Sequence, residues 1–280
     1  MKGIIFGKGF LGTRLGNHLG YETIGRERAD AVDISQIEKV LEAERPDVVI
    51  NAVGKTGRPN IDWCETHKEE TVMANISAAI NIAAECSKRG IYFVHLGSGC
   101  IYDGDNGGKG YTEEDEPNFF RPQFYARTKI IAERILKEFP ALILRLRMPI
   151  DERPNERNLI DKLKNYTKLI DTKNSMTTVP SFVKASKQLI EKRRTGIYNV
   201  ANPGVISPFE IMGLYRELVD ASHDFGEFSV EELDKITQGK RSNCYLNTDK
   251  LRKEGIILPE IHRAVMLCLI NYRGNMKCEE

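Results

Sequence analysis

Tyr125 and Lys129 stand four residues apart in a stretch, 123–138, patterned as a helix, so their side chains share a face about one turn apart. An ammonium beside a phenol favours the phenolate, which predicts a depressed tyrosine pKa and a group able to donate or accept a proton near neutrality. Tyr-x-x-x-Lys alone recurs by chance, and its weight comes from the elements around it. Ser98 lies just past the apolar run Ile91–Leu96, where its hydroxyl is placed to share a carbonyl oxygen with Tyr125. A plain turn serine is the alternative. Cys100 follows two residues later, and if the strand persists, period 2 turns both side chains to one side. The simpler reading of Cys100 is a small buried apolar residue. A second constellation, Gly7-x-Gly9-x-x-Gly12, follows Ile4-Ile5-Phe6 directly. Gly7 permits a tight turn, Gly9 removes a side chain where a pyrophosphate approaches, and Gly12 lets a helix pack on the strand. An ordinary glycine-rich turn is the competing reading.

Such residues act only if the chain delivers them to one edge of a sheet. Ile4–Phe6 reads as a buried strand, and Leu11, Leu15, His18 and Leu19 continue at helical spacing. Tyr21–Gly25 is a short second strand. The acid that would bind ribose hydroxyls at its tip is missing, and Arg26 and Arg28 stand there with Glu27 between them. A guanidinium fork suits a 2′-phosphate, which points to NADP over NAD, against the alternative of a solvated turn arginine. Ser35, with Glu38 three residues on, predicts a capping box at the start of the next helix. Asp47–Val53 is a third buried strand, a helix follows through Asn75 to Lys88, and Ala141–Met148 is a further strand closed by Pro149. This alternation predicts an α/β fold with a doubly wound parallel sheet. Ligands bind such sheets at the carboxyl ends of the strands, so the loops Lys55–Trp63 and Gly97–Gly110 carry the interest. His95 reads as a packing residue and the lone Trp63 as a pocket wall. Beyond Pro149 the alternation weakens to a short helix, Leu159–Tyr166, strand character at Gly196–Val200 and a charged tail, Lys277–Glu280. The expected organisation is a dinucleotide-binding domain over 1–150, with 180–200 returning to it, and a smaller lobe from 151–179 and 201–280.

The 280 residues are 41% hydrophobic and 29% charged, enough for a large core, and the net charge of +1 comes with no basic block. Neither nucleic acid nor a membrane surface is expected as a partner. No apolar run approaches the ~20 residues of a membrane span. A strand starting at residue 2 leads us to expect no signal peptide ahead of it. Six scattered cysteines without a Cys-x-x-Cys pair read as free thiols of a cytoplasmic protein with no structural metal.

Gly7-x-Gly9-x-x-Gly12, Asn51-Ala-Val-Gly54, Ser98, Tyr125-x-x-x-Lys129 and Leu-Arg-Met-Pro149 together resemble the extended short-chain dehydrogenase/reductases. More closely, the chain is similar end to end to the epimerase–reductases that form UDP-L-rhamnose. Thr56–Cys64, Gly99–Ile101, Arg147–Ile150, Asn174–Met176, Gly196–Asn199, Asn202–Val205 and Arg241–Asn243 carry that likeness. The loop between Gly104 and Thr112 departs from the plant pattern and looks shorter. The resemblance implies a Rossmann-type sheet with a smaller C-terminal substrate-binding lobe, NADPH as cofactor (NADH more weakly) and UDP-4-keto-6-deoxy-D-glucose as substrate. It implies inversion at C3 and C5 followed by hydride delivery to C4, with Ser98, Tyr125 and Lys129 polarising the C4 oxygen throughout. Cys100 and Lys162 are its candidates for the extra acid/base pair, a solvated helix lysine being the plainer reading of Lys162.

The same resemblance places Phe10, Leu11, Asp33, Ile34, Asn51, Ala52, Val53 and Pro149 at the cofactor with the glycines and Arg26. It places Arg58, Asn60, Asn174, Asn202, Arg241 and Asn243 at the sugar nucleotide, a solvated loop arginine being the alternative for Arg241. Asn75 corresponds to an asparagine that supports a proton-relay water in the wider family. A homodimer acting after a separate UDP-glucose 4,6-dehydratase is implied, with no dehydratase domain expected ahead of residue 2. Two rival readings stand beside this one: a non-catalytic NADP-binding regulatory subunit on the same fold, and a reductase of the dTDP-rhamnose or GDP-fucose type.

Overall fold

The apolar run at the N-terminus forms strand β1 (Gly3–Phe6) of a six-stranded sheet in the computed structural model, which describes residues 1–120 and 123–276. Every residue of β1 is buried, as a strand covered on both faces must be. The chain continues through α1 (Phe10–Leu19), β2 (Glu22–Ile24), α2 (Ile34–Glu44) and β3 (Val48–Asn51). Two short helices follow, α3 (Trp63–Thr66) and α4 (Lys68–Val72). A π-helical turn (Met73–Ser77) joins α4 to α5 (Ala78–Lys88), ahead of β4 (Tyr92–Ser98), α6 (Phe124–Leu136) and β5 (Ala141–Leu146). The remaining elements are β6 (Pro149–Ile150), α7 (Leu159–Leu163), β7 (Lys168–Leu169), β8 (Thr177–Thr178), α8 (Val179–Glu191), β9 (Gly196–Asn199), α9 (Pro208–Leu218), β10 (Gly226–Glu227), α10 (Val230–Ile236), α11 (Asp249–Lys253) and α12 (Ile261–Met276).

The main sheet has the order β2-β1-β3-β4-β5-β9. β1 is parallel to both β2 and β3, and β3 is parallel to β4. The order reverses between β2 and β3 around β1, which opens a crevice at the carboxyl ends of these strands. The chain divides into two compact units, each with its own core. The first comprises Met1–Ile101, Pro117–Arg145 and Ser186–Tyr198. Ile4, Phe6, Ile37, Val49, Ile82 and Phe93 lie in its core. The second comprises Tyr102–Glu116, Leu146–Ala185 and the chain from Asn199 on, with Ile160, Met176, Ile211, Val265, Leu269 and Tyr272 in its core.

Two expectations change. Residues 102–116 belong to the second unit, because Gly104 N–H bonds to the Asn243 carbonyl at 2.8 Å and Tyr111 N–H to the Tyr245 carbonyl at 2.8 Å. Long-range backbone pairing of this kind leaves no periodic trace in a loop rich in Gly and Asp. The cap of α2 is Asp33, whose carboxylate accepts from Ser35 N–H at 2.9 Å and Gln36 N–H at 3.3 Å, so the Ser35–Glu38 box does not form. The helix starts two residues earlier than a Ser35 cap allows. The charged tail Lys277–Glu280 lies outside the described residues.

Candidate active site

The turn between β1 and α1 is shaped by its glycines. Gly7 has φ +108°, and a Cβ there would come within 2.7 Å of the Ala52 backbone. A Cβ on Gly12 would sit 1.9 Å from the Gly7 carbonyl oxygen, so helix and turn touch. At Gly9, by contrast, a Cβ would meet nothing within 4 Å. Gly9 is the N-cap of α1 and makes no side-chain cap bond, and the first turn carries no acid. Open space at the positive end of a ten-residue helix suits a phosphate. The residues present therefore fit a dinucleotide pyrophosphate.

This turn opens into a cleft of about 540 Å³, within the range of a small-ligand site. Gly7, Lys8 and Gly9 line one side, and Ala52, Val53 and Lys55 follow β3. Arg26 also lines the cleft, with 84% of its side chain exposed, and its Nε and Nη2 meet the Asp30 carboxylate at 3.0 and 2.9 Å. Arg28 turns elsewhere and forks between Glu22 and Glu44. Asp33 and Ile34 are not among the lining residues: Asp33 caps α2, and the wall there is formed by Ala29–Val32. Phe10 and Leu11 are half-buried in the first turn of α1. Asn51 is fully buried behind the cleft, accepting the Val53 N–H at 2.9 Å, so it holds a lining residue without lining the cleft itself. Lys8 and Asp30 also line the cleft without a signal of their own in the sequence, although Lys8 is a variable position of the glycine motif, whereas Lys55 opens the loop that follows Gly54.

Ser98 ends β4 and is buried. Its hydroxyl hydrogen-bonds the Tyr125 phenol and accepts the Cys100 N–H at 3.1 Å. The strand stops at Ser98, so Cys100 reaches this cluster through a serine-centred turn and not through strand period. The expected depression of the Tyr125 pKa is overturned. Burial first and Cys100 second push the phenol upward, and only the Ser98 hydrogen bond opposes them. Lys129 is buried one turn further along α6, but its Nζ donates to the Leu96 carbonyl at 2.9 Å. Burial lowers its pKa to about 8, with Glu133 acting the other way.

Two contacts hold α6 in place. Glu65 accepts the Phe124 N–H at 2.6 Å, a tertiary cap for a helix whose own N-cap side chain makes none. Asn75, in the π-helical turn, donates to Thr128 Oγ1 at 3.0 Å. The same amide clamps the Lys55 backbone, accepting its N–H at 2.7 Å and donating to its carbonyl at 3.1 Å. Arg58 is exposed in the loop after β3, and Asn60 is half-buried, its Oδ1 accepting the Asp62 N–H at 2.8 Å.

The other expected residues belong to the second unit. Asn174 is buried and its amide is saturated: Oδ1 accepts from Arg147 at 2.5 Å and from Cys244 N–H at 3.0 Å. Its Nδ2 donates to Thr172 O at 3.2 Å and Asn243 Oδ1 at 2.9 Å. Asn202 is saturated likewise by Thr178 N–H and hydroxyl, the Ser181 hydroxyl and the Pro259 carbonyl. An amide offers two donors and two acceptor positions, so neither keeps one for a substrate. Both hold the scaffold in place of the contact expected of them. Arg241 donates to the Gly239 carbonyl at 2.8 Å, and Pro149 is half-buried in β6. Lys162, on α7, is half-buried, and its pKa is lowered by burial first and Arg157 second, with Glu156 opposing. Among the described residues no cluster of His, Cys, Asp and Glu gathers to hold a metal ion, and no helix is long and apolar enough to cross a membrane.

A glycine cradle at a switch point, with Ser98 at the end of β4 and Tyr125 and Lys129 on α6, defines an α/β reductase of the extended short-chain dehydrogenase/reductase type. The chain belongs to the family described as RmlD substrate binding domain, whose model matches residues 1–273. It is 38% identical over 263 residues to the bifunctional dTDP-4-dehydrorhamnose 3,5-epimerase/dTDP-4-dehydrorhamnose reductase of Arabidopsis thaliana, covering 90% of this chain and 86% of that protein. A trifunctional UDP-glucose 4,6-dehydratase/UDP-4-keto-6-deoxy-D-glucose 3,5-epimerase/UDP-4-keto-L-rhamnose-reductase of the same plant is 36% identical over 91% of this chain. The chain spans 39% of that longer relative. The crystal structure of the L780 UDP-rhamnose synthase from Acanthamoeba polyphaga mimivirus matches with a TM-score of 0.90 at 31% identity, over 97% of this chain and 99% of that one.

Proposed function

We propose that the protein is a cytoplasmic, NADPH-dependent 4-keto-reductase that also epimerises C3 and C5. It converts UDP-4-keto-6-deoxy-D-glucose to UDP-L-rhamnose after a separate UDP-glucose 4,6-dehydratase has made the ketone. The observation that carries this reading is the cluster of Ser98, Tyr125 and the turn to Cys100 at the carboxyl end of β4. The names of the plant and viral relatives support the sugar and the paired reactions.

NADPH, when bound, supplies the hydride that reduces C4. Gly7, Gly9, Gly12 and the free N–H groups of α1 hold its pyrophosphate, and Arg26 meets its 2′-phosphate, with NADH a weaker substitute. The Ser98 hydroxyl and the Tyr125 phenol polarise the C4 oxygen. Because burial keeps Tyr125 protonated, it arrives as a donor and gives its proton to that oxygen. The same polarisation acidifies the hydrogens on C3 and C5. Cys100 and Lys162 act as the acid/base pair, one removing a proton and the other returning one to the opposite face. Arg58, Asn60, Arg241 and Asn243 grip the nucleotide. Ile131 and Ile135, one turn apart and exposed on α6, offer the apolar surface for a homodimer.

The test is NADPH consumption by the purified protein with UDP-4-keto-6-deoxy-D-glucose and, separately, its dTDP-linked counterpart. Turnover with the UDP sugar is expected. Turnover with the dTDP sugar alone would overturn the nucleotide assignment, and turnover with neither would overturn the reductase.

A further inference from the structure

His95 is buried in β4 opposite Asn51 of β3, and its surroundings fix which ring nitrogen carries the proton. Asn51 Oδ1 accepts the Val53 N–H at 2.9 Å, and a backbone N–H can only donate, so the amide has one orientation. Its Nδ2 therefore faces His95 Nδ1, 3.1 Å away. Nδ2 also only donates, so Nδ1 accepts. Burial first and Lys129 second hold the His95 pKa well below its ordinary value, and the ring is neutral. Its single proton is left on Nε2, which stands 3.5 Å from Lys129 Nζ. Nζ already donates to the Leu96 carbonyl at 2.9 Å. The charge acting on Lys129 is Glu133, one turn further along α6 and paired on both oxygens with Arg145 of β5.

We propose that Asn51 and His95 are positioning residues for Lys129: the amide locks the imidazole as its Nε2–H tautomer, and that N–H, aimed at Nζ, favours an amine lone pair there over a third ammonium hydrogen. The inference rests on the reading of Lys129 as a working member of the reductase site. Under it, Lys129 releases its proton more readily than burial alone would make it, and so serves as a proton carrier and not as a fixed cation. Asn51 then has two tasks, holding the Val53 N–H at the cleft wall and holding the ring behind it. Neither task was legible in the sequence, where His95 reads as packing and Asn51 as a cofactor contact.

The experiment is NMR of the cofactor-free protein, with ¹⁵N-histidine to read the His95 tautomer and ¹³C-lysine to follow the Lys129 titration. The wild type is expected to show Nε2–H and a bare Nδ1. Asn51→Asp places an acceptor at Nδ1 in place of a donor. It should flip the ring to Nδ1–H, turn the Nε2 lone pair toward Nζ and raise the proton affinity of Lys129 about tenfold. In a His95→Leu background the same substitution should move Lys129 far less, because the effect passes through the ring. An Nδ1–H tautomer in the wild type would overturn the proposal even if both variants failed to fold. So would an Asn51→Asp shift of equal size in the two backgrounds, which would mark plain charge attraction. These spectra need no turnover, so a protein inactive on every keto sugar would sink the reductase reading while the tautomer was still decided.

Discussion

Tyr125 is a phenol held against ionisation, and that suits it to one direction of chemistry. Burial raises its pKa, so at neutral pH it can give a proton to a forming alkoxide without first acquiring one. Tyr125→Phe removes one oxygen from a helix that otherwise packs as before. Keto-sugar reduction should fall at least about 100-fold, with the melting temperature and cofactor affinity little changed. Near-normal turnover in a steady-state assay would remove Tyr125 from the chemistry. Lys129 makes a prediction with two signs. Its folded pKa is about 8 against 10.5 for the free side chain, so between these values the unfolded chain binds more protons than the native one. Stability from this group therefore rises as pH climbs through that window, whereas reduction that needs its proton falls above about pH 8. Denaturant titrations and initial rates over the same pH series should slope in opposite directions. Lys129→Met should abolish the stability slope and the activity together.

Among the elements, the β1–α1 turn separates folding from binding most cleanly. Gly12→Ala places a Cβ against the Gly7 carbonyl, 1.9 Å away, so helix or turn must shift and both stability and NADPH affinity should drop. Gly9→Ala meets no protein atom within 4 Å, so the melting temperature should hold while NADPH binding weakens by calorimetry. Equal stability losses in the two variants would mean that Gly9 serves the fold alone. In the π-helical turn, Asn75→Ala leaves the Lys55 backbone without its clamp. It should cost about 1–3 kcal/mol in chemical denaturation. The glycine turn was legible in the sequence because its chemistry is local: three glycines, a strand before and a helix after. Ser98 and Tyr125 were legible because strand end and helix face are set by short-range pattern. Strand period does not carry Cys100 to them, since a hydroxyl-to-backbone turn follows the end of the strand at Ser98. The saturated amides of Asn174 and Asn202, the Glu65 cap on α6 and the buried His95 contacts depend on partners tens of residues away, and one-dimensional periodicity carries no record of them.

At the scale of the whole molecule, the strand order and the two cores define the α/β fold, and individual side chains decide what chemistry it carries and with which cofactor. Arg26 is the cleft-lining arginine beside β2, presented by Asp30 and largely exposed. Arg26→Asp should erode the preference for NADPH over NADH, read as the ratio of the two kcat/KM values. A wild type that favours NADH several-fold would refute the 2′-phosphate assignment. The central claim is that one protein both inverts the sugar and reduces it, and isotope placement tests this most directly. UDP-4-keto-6-deoxy-D-glucose is incubated with the protein and unlabelled NADPH in D₂O, and the product is analysed by NMR. Protons taken from C3 and C5 are replaced from solvent, whereas the hydrogen on C4 comes from NADPH. The predicted product is UDP-L-rhamnose carrying deuterium at C3 and C5 and protium at C4. A sugar reduced at C4 that keeps protium at C3 and C5 would contradict the epimerase and leave a simple reductase.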